Sequence, residues 1–107
     1  MSKLVISEEL RAEIANANDM NFENAAMSKK LDESINRGIG RLGLWSSEIN
    51  LDFESVPDAR QLLIDYVRYD LNGMADVFRK NYAEDIASLR LRLGAAAYAK
   101  QNENQNL

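Results

Sequence analysis

The chain contains no cysteine, no histidine and no threonine. Without the first two there is no thiolate nucleophile, no imidazole base, no disulfide and no ordinary zinc site, so stability has to come from packing. No apolar run approaches the roughly 20 residues that span a bilayer, and the opening MSKLVISEEL lacks the long apolar segment of a secretory signal. A cytoplasmic location is the default expectation. Positive charge is scarce as well: 13 Lys and Arg against 17 Asp and Glu leave a net −4, the wrong sign for a protein that grips nucleic-acid phosphates.

What remains is one domain's worth of polypeptide. A chain of 107 residues buries roughly two thirds of its unfolded surface, so a core is possible but thin, and association with other subunits would help it. The apolar fraction of 46% and charged fraction of 28% are those of a folding domain and not of a disordered one. The acidity is confined to the first half: residues 1–56 hold six basic against ten acidic side chains, residues 57–107 seven against seven.

Hydrophobic spacing predicts helices. Ser7, followed by Glu8 and Glu9, is a start signal for a short, mobile first helix with Leu10, Ile14 and Ala17 on one side. From Asn21 as N-cap, Met27, Leu31, Ile35, Ile39 and Leu42 recur every three or four positions opposite Lys29, Lys30, Asp32, Glu33 and Arg37, predicting a second helix ending near Leu42. Residues 43–56 lose that period, and Ile49, Leu51 and Phe53 alternate with polar residues as a short extended segment would. Pro57 and Asp58 open a third helix, whose two apolar stripes (Ala59, Leu62, Leu63, Tyr66; Ile64, Val67, Leu71, Met74) make it central or shared with another subunit. Asn72-Gly73 ends it. A fourth helix is expected from about Met74 through Phe78, Tyr82, Ile86, Leu89 and Leu93, supported by Asp76/Lys80 and Lys80/Glu84 pairs one turn apart. After Gly94 the stretch AAAYAK can continue the helix, and QNENQNL reads as a frayed tail. The expected fold is all-α: a small bundle of about four helices, a long acidic loop between the second and third, a domain over residues 1–94 and a flexible C-terminal extension over 95–107.

Chemistry-bearing motifs are few. Gly38-Ile39-Gly40-Arg41-Leu42-Gly43 matches GxGxxG, but that fingerprint holds a pyrophosphate only where a strand feeds the turn and a helix follows. Here a helix precedes it and an acidic loop follows. The acidic pairs Glu8/Glu9, Asp32/Glu33 and Glu84/Asp85 are adjacent on helices and point about 100° apart, so they do not converge on one bond. Asp52-Phe53-Glu54 lacks the glycine and distal glutamate of a calcium loop. Trp45 is read as core before partner anchor, and the aromatics Tyr66, Tyr69, Phe78 and Tyr82 lack the basic groove that base stacking needs.

Residues 59–93 resemble the small helical head-tail connector, or adaptor, proteins of tailed double-stranded DNA bacteriophages. Those proteins carry a pattern of the type LLxxYxRYxxN, then a Phe, an Asn-Tyr and a Leu-rich helix end. Here the positions are Leu62, Leu63, Tyr66, Arg68, Tyr69 and Asn72, then Phe78, Asn81, Tyr82, Ile86 and Leu89. The resemblance implies a non-enzymatic subunit without cofactor or metal that assembles, commonly as a dodecamer, into a ring beneath the portal. It implies a virion location at the head-tail interface, a channel through which double-stranded DNA passes without sequence-specific binding, and a docking surface for a stopper or tail-completion protein, with no membrane involved. On that reading Glu48, Asp52 and Glu54 face the channel or the next ring. Leu62, Tyr66, Tyr69, Phe78 and Tyr82 form core or subunit interface, and the segment with Arg90, Arg92, Tyr98 and Lys100 meets the portal. The competing expectation is a small acidic helical regulator or inhibitor that binds a basic protein; an enzyme would need a pocket with convergent carboxylates.

Overall fold

The computed structural model describes residues 6–19 and 24–105, with side chains as far as Gln101. Five helices and no strand make up these residues: α1 (Glu8–Ala17), α2 (Ala25–Trp45), α3 (Pro57–Leu71), α4 (Ala75–Asn81) and α5 (Ala83–Gln105). The all-helical class read from the spacing is what the chain adopts, with five helices in place of four.

Helix α1 starts where its cap signal lies, the Ser7 hydroxyl accepting from the Leu10 amide at 3.1 Å. It is short but firmly held. Leu10, Ile14 and Ala15 are fully buried, while Ala17, expected inside, is exposed on the last turn. Arg11 reaches α2, its Nε donating to Asp32 at 2.6 Å and its Nη2 to Ser28 at 2.7 Å. Glu13 pairs with Arg60 of α3.

The expected cap of the second helix, Asn21, lies outside the described residues; the observed cap is Asn24, whose side chain accepts from the amides of Ala26 and Met27. Helix α2 then runs through all three of its interior glycines to Trp45, three residues beyond the expected end. Gly38 explains why glycine is used there. A Cβ at that position would sit 2.8 Å from both Leu63 Cδ1 and Tyr66 Cδ1, so the missing side chain is what lets α2 and α3 approach.

The α2–α3 connection, residues 46–56, forms turns instead of the extended segment expected. The alternation was half meaningful: Leu51 and Phe53 are buried, but Ile49 is 91% exposed. No neighbouring strand offers a ladder, so the backbone satisfies itself locally, Glu48 N–H donating to Gly43 O at 2.9 Å and Asp52 Oδ1 accepting from the amides of Glu54 and Ser55 at 3.0 Å.

Helix α3 is the central element, packed on α1, α2 and α4. Ala59, Leu62, Leu63, Tyr66 and Val67 are buried. Gly73, in the left-handed region at φ +71°, turns the chain out of it, with Met74 N–H returning to Tyr69 O at 2.8 Å.

The single fourth helix expected from the period is two. The break falls at Tyr82, whose ring stacks on Phe78 at 4.4 Å and whose hydroxyl donates to Asp65 of α3 at 3.1 Å. The backbone leaves helical geometry there for one residue, at φ −106° and ψ 14°, while its amide still donates to Phe78 O and its carbonyl accepts from Ile86 N, each at 2.9 Å. Helix α5 packs Ile86 and Leu89 into the core, with Leu93 partly covered. It then continues past Gly94 to Gln105 in place of the frayed tail expected, because alanine has the highest helix propensity and four of residues 95–99 are alanine. At 1.5 Å per residue its 23 residues span about 35 Å, and the molecule measures 54 × 28 × 21 Å. Every described side chain from residue 94 to 101 is exposed.

Candidate functional site

The residues expected as core or subunit interface divide. Leu62, Tyr66 and Phe78 are buried in the chain's own core, whereas Tyr69 and Tyr82 are half-buried. Phe78 is the hub: the ring centroids of Trp45, Tyr66, Tyr69 and Tyr82 lie 6.3, 5.3, 5.6 and 4.4 Å from its own. Trp45 is half-buried, its ring against this cluster and the Arg79 guanidinium 5.0 Å from its centroid.

A polar seam crosses α2 and α3 beside the cluster. Arg41 donates to the Tyr66 hydroxyl at 2.7 Å, that hydroxyl donates to Asp70 at 3.4 Å, and Arg37 donates to the same carboxylate through Nε and Nη2 at 3.2 and 2.7 Å. Burial pushes the Asp70 carboxyl up, but the hydrogen bond from Arg37 and the charges of Arg37 and Arg41 outweigh it and hold the group below the usual range. Ser34, its hydroxyl buried without a well-formed hydrogen bond, adds to the lowering. The seam joins α2 to α3 through these side chains.

Tyr82 carries a larger shift. Burial, then the adjacent Asp65 carboxylate, raises its phenol to about 12. An unfolded phenol ionises near 10, so the stability this group contributes is full below about pH 10 and is lost as pH rises through about 12. The Tyr82→Phe variant, with no proton to lose, is expected to lose less stability than the parent protein between about pH 9 and pH 11. Urea midpoints at the two values check this; equal losses would assign the alkaline limb to other groups.

The acidic loop residues do not converge. Glu48 is half-buried and accepts from the Asn50 amide at 3.3 Å. Asp52 closes its own turn, and the hydrogen bonds from Ser55 and then Glu54 lower its pKa. Glu54 accepts from the Ser7 amide at 2.8 Å and faces Arg60 at 3.9 Å. All three carboxylates therefore hold the loop's shape as well as charging it.

The C-terminal residues separate onto three surfaces. Arg90 lines an open groove of about 910 Å³ between the end of α2, α4 and α5, floored by Trp45, Ala83, Ile86, Ala87 and Leu91 and rimmed by Asp76, Arg79 and Lys80. Arg92, on the other flank of α5, pairs with Asp58. It borders a smaller hollow of about 290 Å³ that also holds Asp65, Tyr82 and Asp85. Tyr98, 66% exposed, and Lys100 stand on the free end of α5. The groove was not anticipated. Its sequence signal is the pair of alanines at 83 and 87, one turn apart, which leaves space beside Leu91, but the partner wall comes from Trp45, nearly forty residues earlier.

The GxGxxG stretch lies wholly within α2, where the backbone amides face along the helix and no loop is present to cradle a phosphate. Among the described residues no group of three or more His, Cys, Asp or Glu side chains is placed to hold a metal ion, and no helix is long and apolar enough to cross a membrane. No protein-family model, curated protein or solved structure matches the chain.

Proposed function

We propose that the chain is a head-tail connector subunit of a tailed double-stranded DNA bacteriophage, forming a homo-oligomeric ring beneath the portal, extending the DNA channel and docking a stopper or tail-completion protein. The reading starts from the resemblance across residues 59–93. The observation that supports it most is the end of α5, a helical arm beyond Gly94 whose described side chains, as far as Gln101, are all exposed. Isolated helices of this length are marginal in water, so an arm of this kind fits a segment that acts by docking onto another protein.

In this reading Tyr98 and Lys100, on the arm, meet the portal, while Arg90 and Arg92 sit where the arm leaves the body. Glu48, Asp52 and Glu54 face the channel or the next ring. A negatively charged wall repels phosphate and lets DNA slide instead of binding it, in keeping with the net −4 per chain. The role involves no catalytic step and no cofactor.

Molar mass by light scattering across a wide concentration range, with electron microscopy of large species and of mixtures with purified portal, tests the proposal. Annular particles of about a dozen subunits, alone or on the portal, are expected from the resemblance. A dimer that never grows and ignores the portal would overturn it in favour of a small acidic regulator.

A further inference from the structure

The groove beside α5 and the exposed tip of the α2–α3 connection are complementary surfaces on one chain. The groove has an apolar floor of Trp45, Ala83, Ala87 and Leu91, and Leu91 is 75% exposed within it. Its rim carries three cations, Arg79, Lys80 and Arg90, against one anion, Asp76. The tip presents Ile49 at 91% exposure, between Glu48 and Asp52 and close in sequence to Glu54. It is also rigid. Ser47 is held in the left-handed region at φ +60°, Glu48 N–H is tied to Gly43 O, and Asn50 N–H is tied to the Glu48 carboxylate. A pre-shaped tip loses little freedom on docking.

We propose that this groove receives the Ile49 tip of a second copy of the chain, with the isoleucine on the apolar floor and the neighbouring Glu48 facing Arg79, Lys80 and Arg90, so that Glu48 belongs to the contact between copies while Asp52 and Glu54 are left to the channel side. Charge decides the occupant. Of the other strongly exposed apolar side chains outside the groove, Tyr98 on the α5 arm brings Lys100 beside it and would set a fourth cation against the rim, and Leu44 has Arg41 one turn before it and no acid next to it, whereas the tip brings acids. A chain cannot fill its own groove this way, since its own Ile49 stands in solvent. The contact deepens the ring reading and rests on it only for the expectation that copies of this chain meet one another.

The absence of cysteine makes the test clean. Ile49→Cys and Ala87→Cys each introduce one thiol at an exposed position, so neither disturbs the core. Mixed at high concentration under mild oxidation, the two variants are expected to give the mixed disulfide well above either homodimer. Ile49→Ser is expected to weaken self-association about tenfold or more, as for loss of a buried isoleucine anchor. Absence of the mixed disulfide overturns the contact, and a link between Tyr98→Cys and Ala87→Cys in its place assigns the groove to the arm. Mass measurements on the same samples separate the two readings. Rings that form without the Ile49–Ala87 link retain the connector and remove this contact; linked particles that stop at two subunits retain the contact and remove the ring.

Discussion

Replacing Phe78 with alanine is expected to remove about 3–5 kcal/mol of stability, the cost of emptying a fully buried aromatic site. Phe78 has no exposed surface and touches four other rings drawn from α2, α3 and the residue between α4 and α5. Its loss therefore opens a cavity where three elements meet, and relaxation cannot fill it without moving α4. A domain of this size commonly has a total stability of about 5–15 kcal/mol, so the variant is expected to be near the edge of folding, with α4 and α5 the first elements to detach. Trp45, 6.3 Å from the Phe78 ring, reports the change through its fluorescence in urea titrations. Phe78→Leu, which keeps most of the volume, is expected to lose much less. A loss below about 1 kcal/mol for the alanine variant would contradict the central place given to this ring.

The second large effect concerns two glycines two residues apart in α2. Gly38→Ala gains about 1 kcal/mol of helix propensity but places a methyl 2.8 Å from Leu63 Cδ1 and from the Tyr66 ring. Leu63 and Tyr66 are fully buried and cannot swing away, so overpacking of about 1–3 kcal/mol is expected to win, and Gly38→Val is expected to be worse. Gly40 faces solvent, with nothing within 4 Å of a Cβ. Gly40→Ala is therefore expected to stabilise the protein by up to about 1 kcal/mol. Thermal denaturation of the pair is decisive, because propensity alone moves both midpoints upward and only the α2–α3 approach drives them apart.

The same pair of glycines marks what could be read from the sequence. Three glycines in six residues look like a helix end when propensity is summed along the chain, and Leu42 was the natural stopping point. The helix continues because two of the three glycines answer to neighbours far away in sequence: Gly38 to α3, and Gly43 to the Glu48 carbonyl, which would lie 3.1 Å from a Cβ there. The break at Tyr82 has no signature in the spacing either: the run continues from Phe78 to Ile86 without a fault, and the residue that holds the Tyr82 hydroxyl, Asp65, lies seventeen positions earlier. The candidate site was less legible than the fold. Glu48, Asp52 and Glu54 were visible as an acidic cluster, but their use as turn acceptors depends on backbone geometry. The groove joins Trp45 to α4 and α5 and has no linear signature.

The sequence by itself determined the all-helical class, the cap at Ser7, the opening of α3 at Pro57 and its end at Asn72-Gly73, because each depends on bonds or periods that close within a few residues. It also determined, through the absence of cysteine and histidine, that no disulfide and no ordinary zinc site stabilises the fold. Tertiary structure decided which apolar residues are covered. Ile49 and Leu51 are equally apolar and two residues apart, yet one stands in solvent and the other is inside, since burial is set by what the rest of the chain brings within reach.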